Sequence, residues 1–149
     1  MSVDATQIGK VYPPTAPYEV GREKIREFAD AINDPNPVYR DPAAARELGY
    51  PDVIAPPTFA ITLTLRAGHQ VVSDPDVGID YSRVVHGEQR FVHTRPIAPG
   101  DVLQVVVAIE DIRSAAGNDI VSTRADVTTV DGEHVVTAHS TIVVRGIAA

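Results

Sequence analysis

Hydrophobic periodicity divides the chain into a helical first half and a stranded second half. Ile25, Phe28, Ala29 and Ile32 recur at i, i+3, i+4 and i+7, which predicts an amphipathic helix from Arg22 to Ile32. The NDPNP stretch that follows places two prolines within three residues and ends it. Asp41 before Pro42 has the form of an N-cap with proline at the first helical position, and Gly49 that of a C-terminal stop. A short helix is therefore expected over Pro42–Leu48. After the turn-rich link GYPDVIAPP comes TFAITLTLRAG, residues 58–68, uncharged before Arg66 and polar only through threonine hydroxyls, which can bond back to helix carbonyls. A helix apolar all round belongs in the interior. Threonine and isoleucine also favour strands, so a strand is the alternative here. Ahead of all these, Pro13, Pro14 and Pro17 keep residues 1–17 extended.

From Arg83 onward the period changes. Four strand-like runs follow, Val84–Pro96, Val102–Arg113, Ile120–Val130 and His134–Arg145, joined by APGD, SAAGN and DG. Within the second run, Leu103, Val105, Val107 and Ile109 line one face, and Val102, Val106 and Ala108 the other. One face should pack on the apolar helix; the other, unless this chain covers it, should meet a partner subunit. An apolar helix followed by an antiparallel meander points to one α+β domain over residues 1–149.

Composition narrows the functions. The chain has 149 residues, 44% hydrophobic and 22% charged, a globular balance. It has no cysteine, which removes thiol nucleophiles, thiolate metal sites and disulfides. The net charge of -7 argues against a nucleic-acid partner. No run is apolar enough for a signal peptide or a membrane span, so a cytoplasmic protein is expected. His69, His93, His134 and His139 share no metal-ligand spacing, and neither a phosphate-binding glycine loop nor a GxSxG elbow occurs. No metal and no cofactor are expected.

The chemistry concentrates in NDPNPVYRDPAAARELGYPDVIAPPTF, residues 33–59. This segment resembles the MaoC-like (R)-specific hydratases and dehydratases of acyl thioesters. Their signature is an Asp, an Asn-Pro, an aliphatic residue and a catalytic His five residues after the Asp. Asp34, Asn36, Pro37 and Val38 match it, and Asp41–Leu48 resembles the short helix that follows. VVHGEQRFVHTRPIAPGD, from Val84, resembles the first long strand and turn of the family, especially of its FAS1-like dehydratase members. The resemblance implies the hotdog fold, an antiparallel sheet wrapped around a buried helix. It also implies an acyl-CoA or acyl-ACP thioester substrate.

Two positions depart from the family. Where the catalytic His belongs, this chain has Tyr39. In the active relatives, His and Asp share a water molecule and pass protons to and from the α- and β-carbons of the substrate. A phenol with a pKa near 10 is ionised in only ~0.1% of molecules at neutral pH, and general acid–base catalysis contributes ~10²–10⁴-fold. The second departure is Pro56-Pro57, where many relatives carry His-Gly and use backbone N–H groups at the helix N-terminus to polarise the thioester carbonyl. Pro57 has no N–H; Thr58 keeps one. Together with REKIREFADA, ARELGY and IAPPTF, these departures resemble the subunits that have lost the Asp/His pair in heterodimeric (3R)-hydroxyacyl-ACP dehydratases.

The resemblance gives Asp34 and Tyr39 the catalytic positions, and Asn36, Thr58, Phe59, His86 and Gly87 the substrate cleft. Each has a plainer reading: Asp34 an Asx turn, Tyr39 a half-buried aromatic, His86 a structural histidine. Arg22, Lys24 and Arg26 are candidates for attracting an anionic carrier, or simply a solvated helix face. Two functions stand side by side. One is a dehydratase or hydratase subunit working through Asp34 and Tyr39. The other is a non-catalytic subunit that binds the acyl chain in a homodimer or heterodimer, with the Asp/His pair supplied by its partner.

Overall fold

The computed structural model describes residues 2–147; Met1, Ala148 and Ala149, the ends of the expected domain, lie outside them. Helix α1 spans Arg22–Ala31 and buries Ile25 and Ala29 completely, as its periodicity demands. It stops where Asn33 takes a left-handed φ of 57°, a conformation asparagine tolerates better than most residues. Helix α2, Pro42–Glu47, is capped by Asp41, whose Oδ1 accepts the Ala43 N–H at 2.9 Å. Helix α3 spans Ile61–Val72, three residues later at its start and four later at its end than expected. Tight turns occupy residues 57–60 instead, with Phe59 N–H donating to the Pro56 carbonyl at 2.9 Å.

The segment is a helix and not a strand, but it is not buried all round. Leu63, Thr64, Ala67 and Val71 pack inward, whereas Leu65 is 64% exposed and Arg66 and His69 face out. The sheet covers only one side of α3.

The sheet contains β1 (Tyr18–Glu19), β2 (Val84–His93), β3 (Val102–Ala115), β4 (Asn118–Thr129) and β5 (His134–Val144). All pairs are antiparallel, in the order β1-β3-β4-β5-β2. The meander expectation therefore holds for β3, β4 and β5 but not for β2, which pairs with β5. Residues 94–101 carry the chain from one side of the sheet to the other. Arg95 fixes this link by donating to both carboxylate oxygens of Asp101, at 2.9 and 3.0 Å, and by pairing with Glu133.

The N-terminal segment begins with a short 3-10 turn, Ala5–Gln7, because Asp4 caps the Thr6 N–H. From there it runs extended along β3, where Gly9, Tyr12 and Thr15 donate to the carbonyls of Ile109, Val107 and Val105. One edge of the sheet is thus covered by the chain itself. The outer edge of β2 is open, and Val85 and Val92 stand 45% and 48% exposed on that strand. Among the described residues, no helix is long and apolar enough to cross a membrane.

Candidate functional site

The loop after α1 builds the first group of candidate residues. Asp34 Oδ1 accepts the Asn36 N–H at 3.1 Å, an Asx turn, and Asn36 Oδ1 accepts the Val38 N–H at 3.0 Å. Pro37 then starts a 3-10 turn, Pro37–Tyr39, that carries the Tyr39 ring inward to 8% exposure. Arg40 fastens the turn from outside, donating to the Asn36 carbonyl at 3.0 Å and to Asp30 at 2.7 Å. Burial first, and the nearby Asp34 carboxylate second, hold the Tyr39 phenol above its ordinary pKa. At neutral pH this group carries its proton. It is a donor, not a base.

At the approach to α3, Thr58 is exposed, and its N–H makes no hydrogen bond among the described residues. Phe59 is fully buried, its ring edge-to-face with Phe28 at 5.5 Å between centroids. Its side chain therefore sits in the core, where it fixes α1 against the start of α3.

His86 and Gly87 lie on β2, at a bulge. The pairing with β5 shifts between His86 and Glu88, leaving Gly87 as the extra residue. In a regular strand, residues three apart point to opposite faces. The extra residue cancels that alternation, and His86 and Gln89 both line one cavity. A Cβ at Gly87 would stand 3.3 Å from the Thr141 carbonyl, so the close pairing at the bulge favours glycine. His86 Nε2 is 3.1 Å from the Glu88 carbonyl and 3.4 Å from Ser140 Oγ.

That cavity, about 630 Å³, lies between α3 and the four long strands. Its wall is chiefly apolar, with Ile61, Leu65 and Val72 from the helix and Val107, Ala138 and Ile142 from the sheet. Arg66 stands in its exposed rim and forms no ion pair among the described residues. Of the residues expected at the site, only His86 lines it. Asp34, Asn36 and Tyr39 share the loop after α1, and neither they nor Thr58, Phe59 and Gly87 line the cavity. The sequence reading missed Thr64 and Gln89 as cavity residues. A glycine inside a strand pattern, here Gly87, was the available sign of a bulge.

Comparison with known proteins identifies the family. The profile of the FAS1-like dehydratase domain region matches residues 6–138. A UPF0336 protein of Saccharopolyspora erythraea is 60% identical over 148 residues, covering 99% of this chain and 95% of its own length. Among solved structures, the C-terminally truncated HadBC (3R-hydroxyacyl-ACP dehydratase) complex from Mycobacterium tuberculosis matches with a TM-score of 0.83 and 35% identity. That match covers 96% of this chain and 99% of the other. A longer MaoC-like dehydratase matches with a TM-score of 0.86 and 36% identity over 94% of this chain, which spans 42% of that protein.

Proposed function

Because the chain belongs to the FAS1-like dehydratase family, we propose that it is the acyl-binding subunit of a (3R)-hydroxyacyl-thioester dehydratase, with the Asp/His pair contributed by a partner. Its antiparallel sheet around α3 is the hotdog fold of the MaoC-like dehydratases. The observation that carries the reading is Tyr39. Dehydration removes a proton from the α-carbon and delivers one to the departing β-hydroxyl, so the site needs a base as well as an acid. A phenol held above its ordinary pKa supplies only the acid. Asp34, its neighbour, already spends Oδ1 on the Asx turn, and Pro57 has no N–H for the thioester carbonyl.

The apolar cavity supplies what the catalytic loop lacks. Its volume falls in the range of small-molecule pockets, and its wall suits a hydrocarbon chain. The open edge of β2 offers main-chain hydrogen bonds to a partner strand, and the similar HadBC protein is a complex. The substrate is an acyl-CoA or acyl-ACP thioester, and no cofactor takes part.

The test is hydration of a short trans-2-enoyl-CoA, followed as loss of the enoyl-thioester absorbance, with an authentic hydratase alongside. The isolated chain should run at least ~10²-fold below the control, the share of a positioned base. Turnover matching the control would overturn the reading and give Asp34 and Tyr39 the catalytic role.

A further inference from the structure

Thr64 Oγ1 and Gln89 Nε2, from residues of the cavity wall, have no hydrogen-bond partner among the described residues and are closed off from solvent. Polar recognition of a ligand therefore falls to the rim. There Arg66 and His69, both exposed, stand three residues apart on one side of α3. The His69 ring is edge-on to Tyr81, with 6.4 Å between centroids, and Tyr81 is 67% exposed. A molecule in the cavity can reach these three side chains as the structure stands. The guanidinium, a ring N–H and a phenol can each donate to an anion.

Charge sets this rim apart from the rest of the surface. The chain carries 20 Asp and Glu against 13 Lys and Arg, yet among the described residues no carboxylate side chain lines the cavity. Asp80, next to Tyr81, is held by Arg83 at 3.0 Å. Cations elsewhere are engaged in the same way: Arg22, Lys24 and Arg26 of α1 pair with Asp52, Glu27 and Glu23. Arg66 has no such partner among the described residues. An acidic chain that keeps carboxylates out of an apolar cavity and leaves an arginine free at its mouth suits an apolar molecule with an anionic end. The phosphates of a CoA or carrier arm lie a whole pantetheine length from the acyl group, whereas Arg66 directly follows Leu65 of the apolar wall. The anion that fits is a carboxylate on the chain itself.

We infer that the cavity also takes unesterified acids, apolar chains ending in a carboxylate, with Arg66 as the residue that binds the carboxylate. The inference rests on the acyl-binding reading above. It adds a ligand class to it, one that competes with the thioester for the same apolar wall.

The experiment is titration calorimetry of the full chain at neutral pH with four ligands: decanoate, decanamide, decanoyl-pantetheine and its ω-carboxylated analogue. Decanamide has the shape of decanoate without the charge. Decanoate should bind about fivefold more tightly than decanamide, the upper range for an exposed ion pair, and should displace decanoyl-pantetheine. Arg66→Gln should erase that preference while leaving decanamide affinity within about twofold, and Arg66→Lys should keep part of it. Arg90→Gln is the control for net charge, since Arg90 also lacks an ion pair among the described residues but lies on β2 outside the cavity; the preference should survive it. Circular dichroism checks each variant's fold. If decanoyl-pantetheine binds but decanoate binds no better than decanamide, the inference falls and the acyl-binding reading stands. If only the ω-carboxylated thioester gains from Arg66, the carboxylate belongs to the far end of an acyl chain and the inference falls. It falls too if Arg66→Gln weakens decanoate and decanamide alike, or if Arg90→Gln erases the preference as fully. If none of the four ligands binds, both readings fall together.

Discussion

Tyr12 Oη lies 2.7 Å from Asp74 Oδ2, so the segment on the edge of β3 is tied to the second residue beyond the C-terminal end of α3. Lys10 Nζ reaches the same oxygen at 2.6 Å. The Lys10 and Tyr12 hydrogen bonds hold Asp74 below the usual carboxylate range. Burial, then the carboxylate, pushes the Tyr12 phenol well above its own. The tie holds one wall of the cavity in place. Tyr12→Phe should cost about 1 kcal/mol in urea unfolding, the net value of one hydrogen bond. Asp74→Asn should shift the urea midpoint further in the same direction, since it weakens the contacts to Lys10 and Tyr12 together.

A second carboxylate makes stability depend on acid. Asp119 accepts from Ser2 N–H, Ser2 Oγ, Val3 N–H and Ser114 Oγ at 2.7–3.0 Å. Burial alone would raise its pKa, but these bonds outweigh burial and lower it to about 2. A folded-state pKa below the unfolded value of about 3.9 contributes stability that is complete above the unfolded value. That contribution disappears as the pH falls from about 4 toward 2. Asp119→Asn should therefore cost about 1–2 kcal/mol at neutral pH and flatten the acid limb of a stability-versus-pH curve measured by urea unfolding. Equal loss at pH 7 and at pH 2 would contradict this.

The β3–β4 hairpin offers a stabilising change. Ala115 pairs with Asn118, leaving Ala116 and Gly117 as a two-residue turn with φ of 51° and 79°. Two positive values favour asparagine followed by glycine. Ala116→Asn should raise stability by about 0.5–1 kcal/mol, read as a higher thermal midpoint. Gly117→Ala should lower it.

Legibility in the sequence followed burial. Ile25 and Ala29 on α1, and Leu103 through Ile109 on β3, show their periods because one face of each element is fully packed. The helix over residues 58–68 was displaced because prolines 56 and 57 lead into a turn at Phe59 before α3 begins. The place of β2 beside β5 was not legible, since pairing depends on how the sheet closes and not on the strand's own residues. The Asx turn at Asp34 was legible in the NDPNP stretch. The cavity was another matter: Thr64 looks like Thr62 in sequence, and only packing separates the bonded hydroxyl from the orphan.

The open edge of β2 makes association testable. At micromolar concentration, light scattering should give at least a dimer, because Val85 and Val92 stand exposed on a strand whose outer edge is unpaired. Val85→Lys with Val92→Lys should shift the species to the monomer mass with unchanged circular dichroism. A monodisperse species at the 16.0 kDa chain mass for the unaltered protein would rule out pairing between copies at that concentration.

Tyr39→His asks whether the loop from Asp34 to Tyr39 lacks only a base. Tyr39 sits 8% exposed, next to the Asp34 carboxylate that acts on its phenol, at the position where the resemblance places a histidine. Histidine is smaller, so the change should not overpack the loop, and the space left should cost about 1 kcal/mol. A positioned imidazole is mostly neutral at pH 7 and should raise enoyl-CoA hydration by up to ~10²-fold over the unaltered chain. Pro57 limits the gain, because one missing oxyanion donor is worth ~10²–10³-fold in other enzymes. Tyr39→His with Pro57→Gly should therefore exceed either single change. Asp34→Asn is the control that isolates charge from shape, since an asparagine oxygen can still accept the Asn36 N–H and keep the Asx turn. Adding it to the double variant should abolish the gain without altering the thermal midpoint by more than a few degrees. If the double variant folds and stays inactive on short and long enoyl thioesters, the loop is no latent hydratase centre, and acyl binding is left as the function of this chain.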